Sequence, residues 1–299
     1  MKVVFKILLI ISFFCQINNL NAKEITNTGE DIDYIAELFI QIENEKTDTK
    51  KIEINQHLIE YLESFLAKSE SFSADYSKIK KLSVLMSDDK LLKIYTWNLA
   101  FQNGSSKYFG FLQYKPSGKI NLFFLNDKNY NSENDTDPRL YQSNTEWYGV
   151  IYYEIVTKKW NSKTYYTLLG YDAADFLINR KVVETLYFDR KDLPIFGKKM
   201  FKINRTQTGR LIFEYADRVT MLLRYNKKQD MIVLDHLVPP EPKYNNMYQF
   251  YGPDFSYDAL VFKGGKWILE TNIDPDIAIN YKKDQKINHI KRKGASKNF

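Results

Sequence analysis

Cysteine is all but absent. Cys15 is the single one in 299 residues, and it lies in a segment that reads as a removable leader, so the mature chain is expected to have no disulfide and no thiolate site. Its stability must then come from a core. Histidine is nearly as scarce: His57, His236 and His289 are the only three, with no metal-ligand spacing among them. A histidine-dependent hydrolase would have to use His236, because His57 falls in a helical stretch and His289 in the basic tail. Missing too are the GxSxG elbow, the P-loop, HExxH and the dinucleotide glycine fingerprint. Beyond the run Ile7–Ile17, no stretch approaches the roughly 18 uninterrupted apolar residues a membrane helix needs, so no transmembrane segment is expected.

Residues 1–22 have the three parts of a secretory signal. Lys2 and Lys6 come first, the apolar run from Ile7 to Ile17 follows, and Leu20-Asn21-Ala22 ends on a small residue. This predicts an exported protein, periplasmic or associated with the outer surface. Lipidation at Cys15 is disfavoured because Phe14 stands where a lipobox needs a small residue. Charge is uneven along the chain. Of 43 basic residues, against 37 acids, two leave with the leader and seven lie in residues 282–299 against Asp284 alone, so the body between is slightly acidic. The tail, with His289-Ile290-Lys291-Arg292-Lys293, reads as a solvated terminus or as a contact to an anionic surface. No RNP, zinc-finger or helix-turn-helix pattern accompanies the charge, so no nucleic-acid partner is predicted.

Periodicity divides what remains. Ile35, Leu38, Phe39 and Ile42 recur at three and four, as do Leu58, Ile59, Leu62, Phe65 and Leu66, which predicts two amphipathic helices joined by a charged turn at Lys46–Lys51. From Leu91 onward the period is two. Asn103-Gly104 is a strong hairpin signal between Leu91–Gln102 and Ser105–Tyr114, and Pro116-Ser117-Gly118 turns the chain into Ile120–Leu125. The loop Asn126–Asn144 is rich in Asn and Asp, but around Asp135-Thr136-Asp137 it lacks the glycine and terminal glutamate of an EF-hand. Strands are predicted at Trp147–Thr157, Thr164–Gly170, Lys181–Phe188, and in the runs RLIFEYA, RVTMLLRY and MIVLDHLVP. Gly264-Gly265 is a two-residue hairpin turn that sets Phe262 across from Trp267.

Three strand ends place acids beside aromatics. They are Gly170-Tyr171-Asp172, Asp235-His236-Leu237-Val238-Pro239-Pro240, and the rigid turn from Tyr251 through Asp254 to Tyr257 and Asp258. Acids on rigid turns beside aromatics suit sugar contact, a hard cation or acid–base chemistry. They suit structural duty equally, with Asp254 capping a turn, Asp235 and His236 satisfying one another and the rings in the core. The ligand-binding candidates are therefore Asp172, Asp235, His236, Tyr251, Asp254, Tyr257 and Asp258, with no metal or cofactor expected. A paired-carboxylate glycosidase needs two such acids roughly 5–9.5 Å apart. The aromatic content, 15%, suits sugar stacking and suits a sheet with one wet face as well.

The phrases TLLGYD, NRKVVETLYFD, RLIFEYA, MIVLDHLVP, YQFYGPDFSYD and the GGKW turn, taken in order, resemble an uncharacterised family of exported proteins from Bacteroidetes-type bacteria. The resemblance runs from about Leu91 to Asn272 and implies an envelope or secreted location, with no activity to carry over. One departure is Ala173-Ala174-Asp175, where the family pattern has Gly-Asn-like turn residues.

The expected architecture is mainly β: an antiparallel meander, sandwich or barrel-like, with an N-terminal helical hairpin. An incomplete propeller is the alternative. The expected divisions are a signal at 1–22, a helical segment at 23–85, a β domain at 86–281 and a basic tail at 282–299. The expected function is an exported cell-envelope protein that binds or assembles without catalysis, with an envelope component or glycan as partner. The alternative is a carboxylate-dependent glycan hydrolase, so the sequence leaves open whether the protein is an enzyme.

Overall fold

The computed structural model describes residues 28–128 and 142–274. The leader, the Asp135-Thr136-Asp137 loop and the basic tail lie outside them. Two helices open the described chain, α1 (Thr28–Asn44) and α2 (Asp48–Leu66). Each buries the three-and-four stripe that the sequence shows: Ile32, Ile35, Leu38, Phe39 and Ile42 on α1, and Leu58, Leu62, Phe65 and Leu66 on α2. The turn between them is shorter than the charge pattern suggests, since α2 already starts at Asp48. Glu45 holds it closed, accepting bonds from the Lys46 and Thr47 amides at 2.8 and 2.9 Å. The Thr47 amide is the chief cause of a Glu45 carboxyl pKa below its usual value.

Four strands follow as a meander: β1 (Ser83–Met86), β2 (Leu92–Ala100), β3 (Ser106–Tyr114) and β4 (Asn121–Asn126). The first begins inside the stretch read as helical. The chain continues through β5 (Ile151–Trp160), β6 (Lys163–Asp172), β7 (Ile178–Phe188), β8 (Pro194–Phe196), β9 (Phe201–Ile203), β10 (Thr206–Thr208), β11 (Arg210–Ala216), β12 (Leu223–Asn226), β13 (Met231–Val238), β14 (Gly252–Lys263) and β15 (Lys266–Glu270). A second sheet has the order β11-β7-β6-β5 with β8 on β7, and a third the order β10-β9-β15-β14-β13-β12. Pairing is antiparallel except for β15 with β9. No closed barrel forms among the described residues; the sheets stack.

Alternation along each strand explains the stacking, because odd and even residues face opposite layers. On β2, Tyr95, Trp97 and Leu99 pack on the helices, while Leu92 and Ile94 face the second sheet. On β6 and β7, Tyr166, Leu168, Val182 and Leu186 return that contact, while Leu169 and Val183 face Trp267, Leu260 and Ile232 of the third sheet. The layers are thus helices, first sheet, second sheet and third sheet, sharing three cores. Polar ties fix the helices in place. Trp97 Nε1 donates to Asn55 Oδ1 at 2.8 Å, and Gln113 Nε2 donates to the Leu66 carbonyl at 2.6 Å.

Several readings change in detail. The strand expected from Trp147 begins at Ile151, and the rigid turn expected from Tyr251 to Asp258 lies, from Gly252 on, within β14, where Pro253, Tyr257 and Asp258 pair with β13. The run from Val219 to Tyr225 is extended only from Leu223, because the Val219 amide closes a turn onto the Ala216 carbonyl at 3.1 Å. The residues left between the strands expected at Trp147–Thr157 and Thr164–Gly170 are mostly strand too, and only Asn161-Ser162 forms the turn. Asn161 and Ser162 both take positive φ, 47° and 61°, which lets β5 and β6 pair out to Trp160 and Lys163.

Candidate functional site

Strand direction brings the three acid-and-aromatic clusters to one rim. There β6, β11 and β13 end and β7 and β14 begin. The Ala216 amide donates to the Tyr251 carbonyl at 3.0 Å, which stitches the second sheet to the third at this edge, and the Asp217 amide closes the second sheet's own edge onto the Leu177 carbonyl at 2.9 Å. The rim is shared, yet the candidate side chains face different spaces around it.

Asp172 faces the first sheet. It accepts the Tyr108 hydroxyl at 2.8 Å and Arg180 Nη1 at 3.2 Å. Burial raises its carboxyl pKa above the usual value, and those two donors pull against the shift. Asp235 and Tyr257 lie directly opposite one another on β13 and β14. Their face is the outer one of the third sheet, where Tyr257 packs with Val233. The Asp235 carboxylate accepts the Leu222 amide at 2.6 Å.

His236 does not pair with its neighbour Asp235, because adjacent strand residues point to opposite faces. Its Nδ1 lies 2.8 Å from Asp258 Oδ2, and the other Asp258 oxygen accepts the Asn272 amide at 3.2 Å. A register shift between Asp235 and Leu237 marks this point on the ladder. The Asp258 side chain is 7% exposed and that of His236 41%. An ionised carboxylate only accepts, so Nδ1 carries the shared proton and Nε2 is the ring atom left for solvent or a ligand. This is the posture of an oriented acid–base group. No hydroxyl or thiol completes it with a hydrogen bond among the described residues.

Asp254 caps a turn, accepting the Ser256 amide at 2.9 Å and the Ser256 hydroxyl at 2.7 Å. The hydroxyl is the leading reason its carboxyl sits below the usual range, and the nearby His236 adds to the effect. The Tyr251 hydroxyl accepts the Asn246 amide at 3.1 Å, and its ring lies 5.0 Å from that of Tyr248. Every candidate acid therefore spends at least one oxygen on the fold. Among the described residues no group of His, Cys, Asp or Glu is arranged to hold a metal ion.

Two features, one on the rim and one in the interior, escaped the sequence reading. Phe255 is 87% exposed at φ 71°, a backbone region a bulky residue seldom occupies. Phe176 and Leu177, 66% and 62% exposed, stand on the neighbouring loop between β6 and β7. Away from the rim, where β11 begins, lies a buried polar cluster in which Arg210 Nη2 reaches Glu184 Oε2 at 2.7 Å and Gln142 Oε1 at 2.5 Å. Tyr152 donates to Glu184, and Trp147 Nε1 donates to Tyr152 at 2.8 Å. The one signal for it was a charge at strand positions whose alternation points inward, Glu184 on β7 and Arg210 on β11. Comparison of the chain with protein-family models, curated proteins and solved structures finds no match.

Proposed function

We propose that the protein is an exported, non-enzymatic binding or assembly protein of the cell envelope, belonging with the Bacteroidetes-type exported proteins it resembles. The observation that carries this reading is the division of labour on the rim. Its carboxylates are held by backbone amides, a tyrosine, an arginine and a histidine, while the large side chains standing outward are Phe255, Phe176 and Leu177. Such a surface suits contact better than bond cleavage. Export rests on the three-part signal at residues 1–22, and no described helix is long and apolar enough to cross a membrane.

Two measurements test the reading. Expression of the full chain followed by fractionation and N-terminal sequencing is expected to give a mature protein beginning at Lys23 outside the cytoplasm; an uncleaved cytoplasmic chain would defeat the export claim. Mature protein incubated with envelope fractions is expected to be retained, and Phe255→Ser with Phe176→Ser to reduce retention. No retention above a non-binding control ends the binding claim.

A further inference from the structure

The rim opposite the candidate site carries a second arrangement that none of the rim chemistry uses. The turn Asn161-Ser162 brings Trp160 to the tip of its hairpin, and the turn Gly264-Gly265 brings Gly265 to the tip of the next. The two tips touch. A Cβ added to Gly265, whose φ is +75°, would lie 2.5 Å from Cδ1 and Nε1 of the Trp160 indole, so the ring rests on bare backbone. Trp160 is nevertheless 42% exposed, whereas Trp97, Trp147 and Trp267 are at most 1% exposed. It is the one tryptophan of the four on the surface.

The segment before β9 forms the third wall. Lys198 is pinned through its carbonyl, which accepts the Thr185 hydroxyl at 2.8 Å. Lys266 Nζ donates to the Lys199 carbonyl at 3.1 Å and to Gln207 Oε1 at 2.7 Å, tying that wall to the glycine hairpin. Together these walls enclose an open recess of about 220 Å³ whose lining includes Trp160, Tyr165, Lys198, Lys199 and Lys266, and no acid. Lys198 and Lys199 form no ion pair among the described residues.

We propose that this recess binds a sugar residue carrying an anionic group, a carboxylate or a phosphate. The open part of the indole offers the flat apolar face on which a pyranose ring packs. Lys266 is held by the wall, while the Lys198 and Lys199 ammonium groups are point charges with several donors each, suited to an anion whose orientation varies. The volume is below the roughly 300–1,000 Å³ of sites for drug-sized molecules, so it fits one residue at the end or along the edge of a longer glycan. The inference deepens the binding reading above and rests on it for biological context; the chemistry of the recess stands apart from export.

Trp160 reports on its own site. Purified mature protein is titrated with glucuronic acid, mannose phosphate, neutral glucose and inorganic phosphate, following tryptophan fluorescence and its quenching by acrylamide. Both acidic sugars are expected to shift the emission and shield Trp160, glucuronic acid representing an acidic polysaccharide and mannose phosphate a phosphorylated glycan or lipid headgroup. A response to only one of them assigns the source and supports the proposal. Weakening with added salt is expected as well. Lys199→Glu, on an exposed side chain, is expected to weaken binding at least about tenfold with an unchanged circular dichroism spectrum. Trp160→Ala is expected to abolish the signal, and heteronuclear NMR then confirms the loss of binding.

Glucose binding as tightly as glucuronic acid overturns the anionic claim. Inorganic phosphate matching mannose phosphate overturns the saccharide claim, and silence with both acidic sugars overturns the whole proposal. Envelope retention separates the two levels. Retention with silent sugars removes the recess and leaves the binding reading, while bound sugars without envelope retention do the reverse.

Discussion

Arg210 and Glu184 face one another across β11 and β7, their charged groups 2.7 Å apart and their side chains 2% and 0% exposed. Burial of each charge is costly alone and tolerable together, which makes the pair a conditional stabiliser. Glu184→Leu leaves the guanidinium over the Tyr148 ring, 4.6 Å from its centroid, and removes the acceptor of the Tyr152 hydroxyl. We expect it to cost about 3–5 kcal/mol in urea unfolding. The double variant Glu184→Leu with Arg210→Met is expected to recover a large part of that loss. If the double variant is less stable than the single one, the pair stabilises by its own attraction and this account is wrong.

Lys181 lies under two aromatic rings, 4.2 Å from the Tyr153 centroid and 5.3 Å from that of Tyr171. Burial lowers its pKa from 10.5 to about 8, helped by Arg224. Between those two values the unfolded chain holds the proton that the folded chain has released, so stability rises with pH across that window. Lys93, lowered from 10.5 to about 8 by burial, acts in the same sense. Above about pH 10 the direction reverses. Tyr61, raised from 10.0 to about 12 chiefly by burial, keeps its proton in the folded state after the unfolded chain has lost it. We expect Lys181→Met to stabilise the protein at pH 7 by on the order of 1 kcal/mol and to flatten the rise above pH 8. Denaturant titrations across that range decide it, and an unchanged slope rejects the assignment to Lys181.

Gly209 joins β10 to β11 where the chain passes another glycine. A Cβ there would sit 1.9 Å from the Gly197 carbonyl oxygen and 2.2 Å from its carbon, both backbone atoms that cannot rotate away. The surrounding strands are locked, since the Thr185 amide donates to the Gly209 carbonyl at 3.3 Å and the Gly197 amide to the Thr185 carbonyl at 2.9 Å. Gly209→Ala is therefore expected to cost more than about 3 kcal/mol, the upper end of ordinary single substitutions. Gly118→Ala is the informative control. Its Cβ meets nothing within 4 Å although its φ is +86°, so the cost there is backbone strain alone, about 1–2 kcal/mol. Equal losses in thermal unfolding would show that crowding at Gly209 is relieved.

These positions also mark how far the sequence could be read. The helical hairpin, the Asn103-Gly104 and Gly264-Gly265 turns and the facing of Phe262 and Trp267, whose rings lie 5.2 Å apart, were legible because each depends on local periodicity or turn chemistry. The order of the layers was not, because it depends on which of two apolar faces meets which sheet, and Leu169 looks like Leu168 in a sequence. For the same reason the shared rim of Asp172, His236 and Asp258 could be imagined but not placed. The expected pairing of Asp235 with His236 fails for a reason strand alternation already contains, since neighbouring strand residues face opposite sides. The closeness of Gly209 to Gly197, and of Trp160 to Gly265, joins segments far apart in the chain, and no local pattern carries that.

Asp258 tests whether the rim's histidine is held for structure. Its carboxylate joins His236 on β13 to the Asn272 amide beyond β15, and the next residue, Ile273, donates its own amide to the Tyr257 carbonyl at 2.9 Å. Asp258→Ala removes both acceptors from a buried position, so a loss of about 1–3 kcal/mol is expected. Amide exchange at Asn272 should accelerate with it. His236→Gln leaves the Asn272 bond in place and, with a side chain already 41% exposed, should change exchange there little. The two variants thus separate anchoring of the segment after β15 from any role of the imidazole. Acceleration at Asn272 in both to the same degree would show that the histidine, and not the carboxylate alone, holds that segment against the sheet.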